Sequence, residues 1–157
     1  MSIRRGDVGD LELVLAIQRE ASLAGLANVF PPDRFPYPEN EVRADLRAQL
    51  EDPQYIALVD DAGRGFVMVS DGWLQRLYVR AGAWGGGLAR ELHAAALETL
   101  REQGTTTASL WCLAENPRAR RFYEKEGWRL NGTERVVPFP PHPLDLGYSI
   151  ELVSSCR

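Results

Sequence analysis

The chain has 157 residues, 45% hydrophobic and 25% charged, a length and balance that suit one soluble globular domain with its own core. The net charge of −4 divides into seven Arg against thirteen acids over residues 1–71 and eleven Lys or Arg against nine acids over residues 72–157, which excludes a basic nucleic-acid footprint and leaves an acidic half suited to a cationic ligand and a weakly basic half suited to an anionic one. The two cysteines, Cys112 and Cys156, give neither a disulfide framework nor a four-ligand metal site and suit a reducing cytoplasm; no run is long enough for a membrane span, and the first residues lack the apolar core of a signal peptide.

Ile3 to Arg5 reads as a short strand. Asp7 to Asp10 caps a helix whose apolar residues Leu11, Val14, Leu15 and Ile17 continue to about Ala21. Phe30 to Pro38 is too rich in proline for regular structure. A second helix runs from Glu39 to Leu50 with Val42, Leu46 and Leu50 on one face, and Asp52-Pro53 ends it. Strands follow at Tyr55 to Val59, Gly65 to Ser70 and Trp73 to Val79; two-residue alternation puts Trp73, Gln75, Leu77 and Val79 on one face. A glycine cluster, Gly82 to Gly87, opens a helix from about Gly86 to Glu102 with Leu88, Leu92, Ala95, Ala96 and Leu100 inward, and Gly104 closes it. Thr107 to Leu113 is a strand and Asn116 to Glu126 a helix stopped by Gly127. Trp128 to Val137 and Tyr148 to Val153 are the last strands, with a second aromatic–proline loop, Phe139 to Pro143, between them. Asn131-Gly132-Thr133 matches a glycosylation acceptor and reads as a turn. The order predicts an α/β or α+β domain with a mixed sheet.

The glycine cluster carries the first chemical signal. In Val79-Arg80-Ala81-Gly82-Ala83-Trp84-Gly85-Gly86-Gly87-Leu88-Ala89 a strand enters a glycine turn that opens a helix. Free amides at a helix start and the positive end of its dipole attract phosphate, and glycine lets a ligand come close to the backbone. A nucleoside-triphosphate loop would need Lys-Ser or Lys-Thr after Gly87, where Leu88-Ala89 stands, and no window fits the Gly-x-Gly-x-x-Gly dinucleotide fingerprint.

Leu77-Tyr78-Val79 followed by Trp84-Gly85-Gly86-Gly87-Leu88-Ala89 resembles the GNAT acetyltransferase motif Arg/Gln-x-x-Gly-x-Gly/Ala, with Trp84 departing from its first position. Leu110 to Trp128, which contains Asn116-Pro117-Arg118-Ala119 and Phe122-Tyr123-Glu124-Lys125-Glu126-Gly127, resembles the family's second signature. The two motifs cover about a third of the chain. The resemblance implies one GNAT-like domain over residues 1–157: a mixed twisted sheet splayed between two central parallel strands, with about four helices. It also implies an acetyl-CoA-dependent N-acetyltransferase that needs no metal.

In that reading backbone groups of Leu77, Tyr78 and Val79 hold the pantetheine arm, and the pyrophosphate sits on Trp84, Gly85, Gly86, Gly87, Leu88 and Ala89. Arg80, Arg90 and Arg120 are candidates for the other phosphates. Asn116 caps its helix and touches pantetheine. The Val79 amide polarises the thioester carbonyl, and Tyr123 is the acid near the coenzyme sulfur. The general base stays open among Asp71, Glu115, Glu134 and ordered water, because Gln75 takes no proton. Phe30, Phe35, Tyr37, Phe139 and His142 are expected to form the acceptor cleft, and His93 and Cys112 to be structural. The partner is a small-molecule or peptide amine, with neither nucleic acid nor membrane involved; a homodimer stays open. A non-catalytic acyl-CoA-binding module, and a same-fold transferase with another acyl group or a hydroxyl acceptor, are the competing readings.

Overall fold

The computed structural model describes residues 2–152. Seven strands form one sheet in the order β1-β2-β3-β4-β5-β7-β6. They are β1 (Ile3–Arg5), β2 (Tyr55–Asp60), β3 (Gly65–Ser70), β4 (Trp73–Val79), β5 (Thr107–Leu113), β6 (Arg129–Val136) and β7 (Leu144–Glu151). Four helices flank it: α1 (Leu11–Gly25), α2 (Glu39–Glu51), α3 (Leu88–Glu102) and α4 (Pro117–Lys125). None is long and apolar enough to cross a membrane.

The helices divide the core. α1 and α2 send Leu11, Val14, Leu15, Ile17, Val42 and Leu46 against Ala57, Val59, Phe66 and Met68. On the opposite face Leu88, Leu92, Ala96, Leu97 and Leu100 of α3, with Tyr123 of α4, pack on Val67, Val69, Leu74, Val79, Leu110 and Cys112. Each face exploits the two-residue side-chain alternation of β3.

Several local expectations change. α1 runs on to Gly25, after a short 3-10 turn at Val8–Asp10 that Asp7 caps. β4 does not alternate evenly: Met68 faces Arg76 but Val69 faces Leu74, so Gln75 bulges out. The extra residue flips the strand, as a bulge must. Leu77 and Val79 therefore share the α3 face with Leu74, while Arg76 and Tyr78 turn to the α1–α2 face. β7 begins at Leu144, not Tyr148, because it pairs with β5 as far as Leu113↔Asp145; the expected last residue, Val153, lies outside the described residues. Asn131-Gly132-Thr133 is a bulge inside β6, where the register shifts between Leu130 and Glu134, with the Asn131 side-chain oxygen accepting from Thr133 N at 2.9 Å.

β4 and β5 are the parallel pair, and among the described residues their backbones pair only at Trp73↔Ser109, with Ser109 N donating to Gly72 O at 2.9 Å. Beyond that point the two strands part. The splayed mixed sheet expected from the sequence is thus present, and it opens a cleft in the middle of the molecule.

Candidate active site

One hydrogen bond fixes which backbone groups face the cleft. Arg80 N donates to Arg64 O at 2.8 Å on the β3 side of β4. In an antiparallel ladder hydrogen-bonded and non-hydrogen-bonded pairs alternate. The pairs Gly65↔Val79 and Val67↔Leu77 are therefore of the second kind. Their β4 members direct N–H and C=O away from β3, toward the parted β5. Apart from Val79 O, which Trp84 Nε1 reaches at 2.8 Å, such groups need partners, and an amide-bearing arm laid between the strands can supply them as an added strand would.

The glycine turn lies at the end of this edge. Gly85 and Gly87 have φ of +82° and +87°, a left-handed backbone that glycine adopts without strain. A Cβ at Gly82, Gly85 or Gly87 would meet nothing within 4 Å. Gly87 is the N-cap of α3 and offers no side chain to cap it. Glu91 N bonds Gly87 O at 3.1 Å, while the amides of Leu88, Ala89 and Arg90 have no acceptor among the described residues. Trp84 N and Gly86 N are turned inward onto Ala81 O and Ala83 O. The free donors at a dipole's positive end, beside open space, fit a phosphate.

Trp84 fills the position where the motif usually has Arg or Gln. Its Nε1 donates to Val79 O at 2.8 Å, and its ring carries the Arg118 guanidinium 3.6 Å from the centroid. Arg118 comes from the start of α4, so the pair bridges the mouth of the cleft. Sequence reasoning passed over Arg118 for Arg80, Arg90 and Arg120, each of which the structure gives an internal partner. Arg80 meets Glu20 and Gly63 O, Arg90 meets Glu126 at 3.4 Å, and Arg120 bonds the Tyr148 hydroxyl at 2.9 Å.

Asn116 caps α4 by accepting from Ala119 N at 3.2 Å. Tyr123, two turns on, packs its ring against Phe122, His93 and Trp128, and its hydroxyl has no hydrogen-bond partner among the described residues. Burial, then Cys112 and Tyr78, push its pKa up, so the phenol stays protonated. Cys112 is buried and its thiol is pushed up to about 12. His93 is a core residue, accepting from Trp128 Nε1 at 2.9 Å.

The four groups considered around the general base, Asp71, Gln75, Glu115 and Glu134, are all exposed. A different carboxylate is not. Asp145 is 5% exposed, pairs with Leu113 where β5 ends, and accepts from Arg135 Nε at 3.0 Å. Burial raises its pKa, with Arg135 opposing, and it is close enough to Tyr78 and Cys112 to raise theirs. Its sequence signal is the alternation Leu144-Asp145-Leu146, which a last strand beginning at Tyr148 leaves out.

The aromatic–proline loops have separate attachments. Tyr37 packs on the α1–α2 core, and Phe35 lies 5.6 Å beneath the Arg34 guanidinium. His142 Nδ1 contacts Val137 O at 3.0 Å within its own hairpin, and Phe139 O accepts from His142 N. No hydrogen bond, ion pair or ring contact among the described residues joins Phe30, Phe35 or Tyr37 to Phe139 or His142. A shallow groove of about 400 Å³ between Thr107, Arg129, Asn131 and Glu151 opens at the other end of β5, away from the cleft.

Comparison with known proteins agrees with this geometry. The acetyltransferase (GNAT) family model matches residues 21–128. A mycothiol acetyltransferase of Beutenbergia cavernae is 37% identical over 86 residues, which cover 49% of this chain and 29% of that protein; the match thus spans less than a third of the curated relative. Among solved structures, the PaiA N-acetyltransferase of Thermoplasma acidophilum in complex with coenzyme A superposes with a TM-score of 0.70 at 17% identity, over 96% of this chain and 99% of that one. The ribosomal-protein-S18-alanine N-acetyltransferase of Escherichia coli superposes at 0.69 and 19% identity, over 96% and 93%. At these identities the superpositions speak for the fold.

Proposed function

We propose, from the premise that this chain belongs to the acetyltransferase (GNAT) family, that it moves the acetyl group of acetyl-CoA onto the primary amine of a small molecule or peptide, in the cytoplasm and within a ternary complex. The observation that carries this reading is the junction of two binding features. The non-hydrogen-bonded pairs of Leu77 and Val79 turn their backbone groups into the β4–β5 cleft, and the uncapped start of α3 lies at the end of the same edge.

Acetyl-CoA supplies an activated acyl group as a thioester. The residues present fit it by chemistry: amides of Leu88, Ala89 and Arg90 for phosphate, backbone of Leu77 and Val79 for the amide arm. The Val79 N–H polarises the carbonyl that the amine attacks. Tyr123, kept neutral by burial, serves as a hydrogen-bond donor to the departing sulfur. A thiol is ordinarily more acidic than a phenol, so Tyr123 stabilises the thiolate by hydrogen bonding more than by full proton transfer. Asp145 takes the proton that the amine must lose. Holding amine and thioester together supplies much of the rate in such a reaction.

The test is an acceptor-library screen with acetyl-CoA, read by thiol release. Sustained release with at least one amine is expected, and Asp145→Asn should slow it while coenzyme binding persists. Coenzyme binding with no release for any amine or hydroxyl acceptor would instead make the protein a binding module.

A further inference from the structure

The arginines of this chain are not distributed evenly among partners. Of those half-buried, Arg19, Arg43, Arg64, Arg80, Arg101 and Arg120 each meet a carboxylate. Arg76 is half-buried too, and among the described residues no carboxylate lies within 4 Å of it. Two neutral amides hold it instead: Gln49 Oε1 accepts from Nε at 3.1 Å and Gln18 Oε1 from Nη1 at 2.9 Å. Gln18 is itself only 6% exposed. A guanidinium withdrawn from water keeps its charge, and neutral partners orient it without neutralising it.

A second polar group nearby is unfinished. The Tyr37 hydroxyl is buried and makes no well-formed hydrogen bond among the described residues. Burial and then Tyr78 raise its pKa, while Arg76 and the nearby Gln18 side-chain oxygen oppose the shift, and that same oxygen accepts from Arg76 at 2.9 Å. A native fold rarely leaves a buried hydroxyl unpaired unless something else occupies the site. An uncompensated cation and a hydroxyl without a well-formed hydrogen bond thus stand together, and the group that satisfies both is an anionic acceptor of hydrogen bonds. A carboxylate does so, with its planar oxygens matching the guanidinium edge.

The place of this cluster suits the second substrate. The bulge at Gln75 turns Arg76 and Tyr78 to the α1–α2 face of β4, whereas α3 packs on the other face. Arg76 also adjoins Leu77, whose backbone faces the cleft. We infer that Arg76, with Gln18 as its support and the Tyr37 hydroxyl as second donor, binds a carboxylate of the acceptor, so that the preferred substrate is an amine that also carries an acid group, of the amino-acid type. The inference rests on the acetyltransferase reading above, and its test separates the two.

Binding is measured by calorimetry with the full chain saturated in coenzyme A, using a panel of N-acetyl-L-amino acids, each against its own C-terminal amide. The wild type is expected to bind at least one acid tenfold or more tighter than its amide. Arg76→Gln should abolish that preference, and Tyr37→Phe, which removes only the hydroxyl, should narrow it while leaving the fold intact. Acids and amides bound alike, or neither bound at millimolar concentration, or a preference that survives both variants, overturns the subsite. The acceptor screen reports separately on transfer: absence of turnover with a carboxylate preference intact would remove the acetyltransferase reading and leave the anion site standing.

Discussion

The indole Nε1 of Trp84 donates to the carbonyl oxygen of Val79 at 2.8 Å, so a side chain from the glycine turn occupies an acceptor on the strand edge proposed above for the coenzyme arm. The contact is reinforced by Arg118 above the ring, a pairing worth about 0.5–2 kcal/mol. If the arm enters between β4 and β5 as proposed, it is expected to disturb Trp84. Its indole emission should change when acetyl-CoA is titrated in. Trp84→Phe removes the donor but keeps a ring for Arg118; it should bind coenzyme no more weakly than wild type and lose that emission change. If the same change persists with Phe at 84, it arises from Trp73, Trp111 or Trp128 instead.

Gly87 unites two demands. Its φ of +87° disfavours any side chain, and the space beside it is open, as a phosphate-binding backbone requires. Gly87→Glu adds bulk and negative charge there. Coenzyme affinity should fall at least tenfold, or about 1.4 kcal/mol. The backbone strain itself costs about 1–2 kcal/mol of stability, so a melting curve must first show the variant folded. Full coenzyme affinity in a folded variant would place the phosphates elsewhere.

For Tyr123, removal of the hydroxyl leaves the ring packing against Phe122, His93 and Trp128 in place. Tyr123→Phe should lower turnover about tenfold to a thousandfold with coenzyme affinity nearly kept, in line with the range of acid–base groups. Because burial raises its pKa, the wild-type pH–rate profile should show no limb from this phenol in the neutral range. Equal turnover in the two proteins assigns Tyr123 to packing.

What the sequence made legible was what is written locally. Glycines before Leu88, Asn116 as a cap and the helical spacing of α3 are short-range signals, and their elements lie where expected within a residue or two. The bulge at Gln75 was not legible, since it depends on how Met68 and Val69 pair across the strand, and with it went the facing of Arg76. Asp145 escaped because Pro143 and Leu144 resembled loop, whereas pairing with β5 carries β7 back to Asp145 and pairing with β6 carries it to Leu144. The partners of Arg80 and Arg120 come from distant elements, which no local pattern reveals. His93 is structural as expected, and the approach of Trp128 from beyond α4 is what makes it core.

The acceptor cleft expected from both aromatic–proline loops can be probed loop by loop. Phe35 and Tyr37 belong to the segment that reaches Arg76, whereas Phe139 and His142 belong to the β6–β7 hairpin. With an acceptor in hand, Phe35→Ala and Phe139→Ala should each raise its KM or change selectivity while acetyl-CoA binding is unchanged. Wild-type kinetics in one variant but not the other would assign the cleft to a single loop, and wild-type kinetics in both would move it away from these residues.

His93 makes stability depend on pH in a window where few other groups act. It is 2% exposed, and its Nε2 accepts from Trp128 Nε1 at 2.9 Å, which requires that nitrogen to be unprotonated. Burial lowers its pKa from the ordinary 6.5, and Glu126, 3.8 Å from Nδ1, opposes the shift in part. The unfolded chain thus binds this proton more readily than the folded one. Stability from neutral His93 is complete above about pH 6.5 and declines as pH falls through the window below it. Asp10 and Asp60, held down by Arg4 and Arg64, lose their contributions only below the ordinary carboxylate range. Asp145, pushed up by burial, acts in the opposite direction, favouring the fold as it protonates. Subtraction of a His93→Gln variant isolates the histidine, since glutamine keeps an acceptor for Trp128 but does not titrate. The wild type should lose more Tm between pH 7 and pH 5 than His93→Gln does; parallel curves would mean that His93 keeps the same proton affinity folded and unfolded.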